Sequence, residues 1–181
     1  MISFINSIDQ TILFYIHMNF HFPIIDKIMI LATTVGDKGL IWILISLLLL
    51  MDKKTRGIGI LTLATLVLST IIGEGLLKHI IQRPRPYVDF TWINLLIDQS
   101  TTYSFPSGHT TSSFAAAYVL ARHLKKFLPI IWTVATIIAF SRLYLFVHYP
   151  SDVVAGMVLG ISCGKFASCL YKNRWARDYS S

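Results

Sequence analysis

Apolar residues fall in runs too long and too even for a soluble core, and the polar residues crowd between them. Gly39–Met51 is a short apolar run, and residues 35–38 bring it near the ~17–20 residues a bilayer requires. Ile58–Leu77, Gly108–Leu124, Leu128–Val147 and Val153–Leu170 are four more. The segment before them is broken by Asn19, His21, Pro23 and Asp26. Within it Ile2, Phe4, Ile5, Ile8, Ile12, Leu13 and Ile16 recur at helical spacing. That pattern predicts an amphipathic helix on the membrane surface and a second short helix after Pro23, with a first transmembrane span as the alternative. The whole predicts an all-α fold: a polytopic membrane helical bundle of five or six transmembrane helices with an N-terminal amphipathic segment. One domain covers 1–181: the interfacial or first-span segment 1–36, the core bundle 37–172 and a cytoplasmic tail 173–181.

Composition sharpens this. The chain is 54% hydrophobic and only 14% charged, against about 25% charged in a typical soluble domain. The net charge of +7 does not point to nucleic acid, because the cations flank apolar runs and form no soluble basic domain. Cys163 and Cys169, both in the last apolar run, read as inert packing residues. The N-terminus lacks the basic region of a cleavable signal peptide, so insertion is expected from internal spans. Gly156, Gly160 and Gly164, four apart, read as a helix-packing face.

The cations also set sidedness. Lys53, Lys54 and Arg56 follow the first clear span; Arg122, Lys125 and Lys126 follow the third; Lys172, Arg174 and Arg177 follow the fifth. With alternating spans the three groups share one side, which the positive-inside rule puts in the cytoplasm.

Three polar stretches then gather at the opposite, extracytoplasmic end. Lys78 ends a span and Arg83-Pro84-Arg85-Pro86 follows, the prolines stiffening the exit that carries the cations. Glu74, one turn before Lys78, is placed to pair with it. Pro106-Ser107-Gly108-His109 opens a span, where unpaired N–H groups favour an anion. Gly108 permits close approach, Ser107 adds a hydroxyl, and His109 exchanges a proton near neutral pH. Ser141-Arg142 lies within a span, and His148 and Asp152 follow four residues apart. Asp152 is placed to accept the ring N–H of His148, leaving the other ring nitrogen free to attack. Each stretch alone has an ordinary reading: snorkelling cations, a capping turn, or a His–Asp metal pair. The cations Lys78, Arg85 and Arg142 favour an anion over a divalent metal. The residues alone do not choose between His148 and His109 as nucleophile.

Taken in order, the stretches resemble the type 2 phosphatidic acid phosphatase family, the membrane branch of a superfamily shared with vanadium haloperoxidases. The family pattern is a lysine, six residues and Arg-Pro; then Pro-Ser-Gly-His; then Ser-Arg, five residues, His, three residues and Asp. Lys78 through Asp152 matches at every motif position. The resemblance implies that His148 is the nucleophile and forms a phosphohistidine, that Asp152 orients it, and that His109 protonates the leaving oxygen and then activates water. Lys78, Arg85, Ser107, Gly108 and Arg142 would hold the phosphate oxygens; the spacing selects Arg85 over Arg83. It implies no metal and no cofactor.

A site at the outer face implies a lipid phosphate or pyrophosphate arriving from the bilayer, past an interfacial lip formed by Tyr87–Phe105 with Phe90, Trp92, Leu95 and Leu96. The small size and short N-terminal segment resemble bacterial undecaprenyl pyrophosphate phosphatases. Phosphatidylglycerophosphate and phosphatidic acid are the rival substrates. An anion transporter and a metal-dependent membrane hydrolase are the readings of other classes. Oligomeric state is not legible.

Overall fold

A computed structural model describes the backbone of residues 2–178 and the side chains of residues 4–171. The basic residues Lys172, Arg174 and Arg177 and the predicted tail 173–181 lie outside the described side chains. The chain is an all-α membrane bundle with no strand among the described residues. Its helices are α1 (Ile2–Phe20), α2 (Pro23–Gly36), α3 (Leu40–Met51), α4 (Arg56–Thr70), α5 (Lys78–Ile81), α6 (Pro86–Asp89), α7 (Gly108–His123), α8 (Leu128–Tyr144) and α9 (Pro150–Asp178).

Four stretches are long and apolar enough to cross a membrane: Pro23–Met51, Arg56–Asp89, Lys125–Tyr144 and Pro150–Tyr171. The first joins what the sequence separates. The predicted short helix after Pro23 runs on into the Gly39–Met51 run through a kink, where Lys38 and Gly39 adopt positive φ of 48° and 74°. Gly39 suits that left-handed conformation because it has no Cβ to clash. Leu44, Leu47, Leu48 and Met51 on α3, and Ile60 and Val67 on α4, are exposed. In water such an apolar surface would be a liability; against lipid it is the ordinary outer face.

The predicted third span corresponds to α7, and its setting is different. Ser112, Ser113, Ala115, Ala116 and Ala117 are all buried, with α4, α8 and α9 packed around them. Small side chains permit this close wrapping. Gly156, Gly160 and Gly164 of α9 form the matching face: a Cβ at Gly160 would come within 2.9 Å of the Ala115 nitrogen, and one at Gly164 within 3.0 Å of the Ala115 carbonyl. α7 is thus polar by composition and central by position. Trp42 ties α3 to α7: its indole N–H donates to Ser113 Oγ at 3.0 Å.

The N-terminal helix α1 divides its faces. Phe4, Ile5, Ile8, Ile12 and Tyr15 are exposed, whereas Asp9, Leu13 and Ile16 are buried. Of the apolar residues the sequence places at helical spacing, Phe4, Ile5, Ile8 and Ile12 form the exposed stripe, while Leu13 and Ile16 turn inward. The buried stripe docks α1 on α8 and α9, and Phe14 packs on Phe90, Trp92 and Phe146. The predicted lip therefore has α1 as one wall.

Candidate functional site

The Lys78 stretch is shaped by an irregular helix. α4 passes into α5 through a π-helical segment, Ile71–Leu77. Such wider turns are rare and often sit at functional sites. Lys78 is buried, and its ammonium donates to both carboxylate oxygens of Glu74 at 2.7 Å. Gln82 then takes a positive φ of 49° and ends the helix. The chain turns so that Arg85 points inward, 5% exposed. Its guanidinium donates to the Thr102 carbonyl at 2.8 Å, to Thr102 Oγ1 at 3.0 Å and to the Val147 carbonyl at 3.1 Å. Arg85 Nη1 also lies 3.3 Å from His148 Nε2.

The Pro106–His109 turn presents the start of α7. Ser107 is buried and makes no capping bond to its own helix; its Oγ instead accepts from Thr110 at 2.9 Å. The first N–H groups of α7 therefore remain available to an anion. Gly108 faces Glu74 so closely that any Cβ there would overlap the carboxylate. The ring N–H of His109 donates to the Thr33 carbonyl at 3.2 Å, with Asp37 Oδ1 3.8 Å from the same nitrogen.

The last stretch follows α8. Phe146, at φ 59°, reverses the chain in a conformation unfavourable for an aromatic residue, a strain of about 1–3 kcal/mol that persists only where the surroundings hold it. That turn buries His148 and ties its N–H to the Arg142 carbonyl at 3.3 Å. A guanidinium has no acceptor, so the Arg85 contact requires the lone pair on Nε2 and places the ring proton on Nδ1. Nδ1 faces Ser104 Oγ at 3.4 Å and Asp152 Oδ2 at 3.7 Å. The predicted direct hydrogen bond is not made at this distance; Ser104, hydrogen-bonded to Asp152, stands between the partners. Burial first, and then the charges of Arg85 and Arg142, push the His148 pKa down to about 3. Asp152 Oδ2 also accepts the Tyr149 N–H at 2.9 Å, and its main-chain carbonyl accepts the Ser107 N–H at 3.1 Å. Arg142, 6% exposed, donates to Thr33 Oγ1. Its Nε has no partner, and neither Arg85 nor Arg142 pairs with a carboxylate among the described residues.

All eight sequence-predicted residues therefore converge. Lys78 and Arg85 share Thr102; His109 and Arg142 share Thr33; the Ser107 turn is fastened to Asp152. Sequence reasoning missed Ser104, Thr102, Thr33 and Asp37. These lie in loops and at helix ends with no motif spacing to mark them. Arg83, left ambiguous by the sequence, does not join the cations around His148 but bridges Asp9 and the Asp152 carboxylate from behind. Among the described residues no group of three or more His, Cys, Asp or Glu is placed to hold a metal ion.

Fold and side chains together define a class: a multi-pass membrane bundle that brings three buried cations, Lys78, Arg85 and Arg142, around a buried histidine. The chain belongs to the PAP2 superfamily, whose family model matches residues 59–176. It is 36% identical to an undecaprenyl-diphosphatase of Sulfolobus acidocaldarius over 121 residues, 66% of this chain and 58% of that protein. It is 40% identical over 89 residues to a decaprenylphosphoryl-5-phosphoribose phosphatase of Mycobacterium tuberculosis, covering 49% of this chain and 48% of the relative. The chain thus spans about half the length of these curated relatives. The fold matches the crystal structure of a transmembrane PAP2-type phosphatidylglycerolphosphate phosphatase from Bacillus subtilis, with a TM-score of 0.76, 27% identity, and coverage of 93% of this chain and 87% of the other.

Proposed function

We propose that this protein is a metal-independent membrane lipid phosphatase that converts undecaprenyl pyrophosphate to undecaprenyl phosphate at the extracytoplasmic face of the cell membrane. The observation that carries the reading is the buried pair Arg85 and Arg142. Among the described residues neither has a carboxylate partner, and Arg85 meets the lone pair of a buried histidine. Burying an uncompensated cation costs several kcal/mol. A dianionic phosphate is the counter-charge that fits.

In this mechanism His148 Nε2 attacks the terminal phosphorus, a P–N bond forms, and the bond to the leaving oxygen breaks. Arg85, Arg142, Lys78, the Ser107 hydroxyl and the Gly108 N–H hold the three equatorial oxygens as their charge grows. Donors of this kind are each worth about 2.7–4 kcal/mol in comparable sites. Asp152 stabilises the imidazolium that develops on His148. His109 enters as the imidazolium, gives the proton of the ring nitrogen not held by the Thr33 carbonyl to the leaving oxygen, and as neutral imidazole then takes one from the water that hydrolyses the phosphohistidine, releasing inorganic phosphate. Glu74 remains beside Lys78 and shares it with the substrate.

The extracytoplasmic face is supported by the cations: Lys53, Lys54 and Arg56 lie at the junction of α3 and α4, and Arg122, Lys125 and Lys126 at the junction of α7 and α8, and the positive-inside rule favours a cytoplasmic position for both junctions. Polyprenyl substrates are favoured because two relatives are named for polyprenyl-linked phosphates. A second reading, phosphatidylglycerophosphate, is supported by the fold match to a phosphatase named for that lipid.

The test is phosphate release by purified protein with chelator present, across undecaprenyl pyrophosphate, phosphatidylglycerophosphate and phosphatidate. An impermeant short-chain analogue added outside intact cells reads the face. The highest kcat/KM is expected on undecaprenyl pyrophosphate, with the analogue hydrolysed. No turnover of any lipid, or activity lost to chelator and restored by zinc, overturns the reading.

A further inference from the structure

Asp9 sits on α1, far in sequence from every motif, yet is 2% exposed. A buried carboxylate needs compensation, and this one has it in full. Asp9 Oδ1 accepts the Ser151 N–H at 2.8 Å, and Oδ2 accepts the Ser151 hydroxyl and Arg83 Nη2, the latter at 2.7 Å. The other side of the same guanidinium serves Asp152: Arg83 Nη1 lies 2.7 Å from Asp152 Oδ1 and 2.7 Å from Ser151 Oγ. The Arg83 plane also rests 4.0 Å over the Tyr149 ring. Arg83 Nη2 also donates to Asn6 Oδ1 at 3.1 Å, so both terminal nitrogens are engaged, and Nη1 meets the Asp152 oxygen that does not face His148. A planar fork matches two carboxylates at once, which a lysine at this position would not.

We propose that Asp9 and Arg83 are positioning residues for the reaction: a carboxylate–guanidinium–carboxylate clamp through which the N-terminal helix fixes Asp152 and so the orientation of His148. The proposal rests on the phosphohistidine reading above. With Oδ1 held by Arg83, Oδ2 is left to Ser104, the Tyr149 N–H and the imidazole. Asp9 sits across the guanidinium and shares its charge, so Arg83 does not neutralise Asp152 outright. The amphipathic helix is then part of the active-site framework as well as a membrane contact.

The test is a double-mutant cycle on the full-length protein in detergent. Arg83→Ala alone is expected to lower kcat about 10–100-fold with KM changed less than about threefold. If Arg83 acts through Asp152, adding Arg83→Ala to Asp152→Asn should cost less than about twofold more, because coupled residues are not additive. Multiplicative losses, or a KM rise carrying the whole effect, overturn the clamp and make Arg83 a substrate contact. Asp9→Asn is nearly isosteric and keeps an acceptor for Ser151. It is run through the same cycle and decides the matter if the arginine variant does not fold, as read by size-exclusion profile. His148→Ala separates the two claims. Turnover surviving that change sinks the nucleophile, whereas an additive cycle with His148→Ala inactive sinks the clamp alone.

Discussion

The two histidines of the pocket are the same residue type in opposite settings. His148 lies in a strained loop, 1% exposed, with both ring nitrogens against fixed groups. His109 opens α7 at the rim, with a side chain 17% exposed and one ring nitrogen on the Thr33 carbonyl, near the half-open carboxylate of Asp37. One is over-determined by its neighbours and the other is tethered. A nucleophile gains from the first arrangement, because a fixed lone pair removes the entropy of finding the attack geometry. An acid–base group gains from the second, because it must exchange its proton between steps. The contrast supports the division of labour that residue type alone left open.

Removing each histidine breaks the comparison most directly. His148→Ala is expected to abolish phosphate release and leave no acid-labile phosphoprotein after quenching, because the P–N bond would form at that ring. His109→Gln is expected to lose about 10²–10⁴-fold on a lipid substrate, the usual contribution of a general acid. It should still form the phosphoenzyme from an aryl phosphate, whose leaving group needs no proton. If His109→Gln fails to label with the aryl substrate while His148→Ala labels, the roles are reversed.

Ser104 offers a smaller change on the His148 side. It is buried and bridges Asp152 and the imidazole. A hydrogen bond to a charged partner is worth about 1.5–3 kcal/mol, so Ser104→Ala should lower kcat roughly 10–100-fold with little change in KM. An unchanged kcat would mean that Asp152 reaches the imidazole without the serine.

What was legible in the sequence follows from the same contrast. That Lys78, Arg85, His109, Arg142, His148 and Asp152 would lie together was legible because each is a charge or a histidine beside an apolar run; Ser107 and Gly108 were marked by their place at the start of a span. Helix existence was legible from the runs themselves. The join of Pro23–Met51 was only partly legible: the apolar run could be extended back through residues 35–38, but Asp26 and Pro23 assigned the rest to a separate short helix, whereas the chain runs on through one kink at Lys38 and Gly39. The central place of α7 was hidden too: serines, threonines and alanines lower its hydropathy, and they are also what lets neighbouring helices approach. Ser104 sits in an irregular loop with no periodicity. Asp9 meets Ser151 across 142 residues of chain, a pairing that no local pattern encodes, so α1 was legible as a membrane helix and illegible as a wall of the site.

The smallest expected effect concerns pH. Burial and two nearby guanidinium groups hold the His148 pKa at about 3, against an ordinary value near 6.5. A base with a lowered pKa stays neutral until the solution is acidified to that lower value. His148 should therefore keep its attacking lone pair throughout pH 5.5–7.5. The clean measurement is single-turnover phosphoenzyme formation in the His109→Gln variant, which removes the second imidazole. The aryl phosphate used must be fully ionised across the range, so that the substrate adds no titration of its own. The rate should vary less than about twofold, where an imidazole titrating at 6.5 would lose about tenfold by pH 5.5. A fall with a midpoint near 6.5 would mean that His148 is solvated in the working enzyme. The buried setting that distinguishes it from His109 would then not hold in solution.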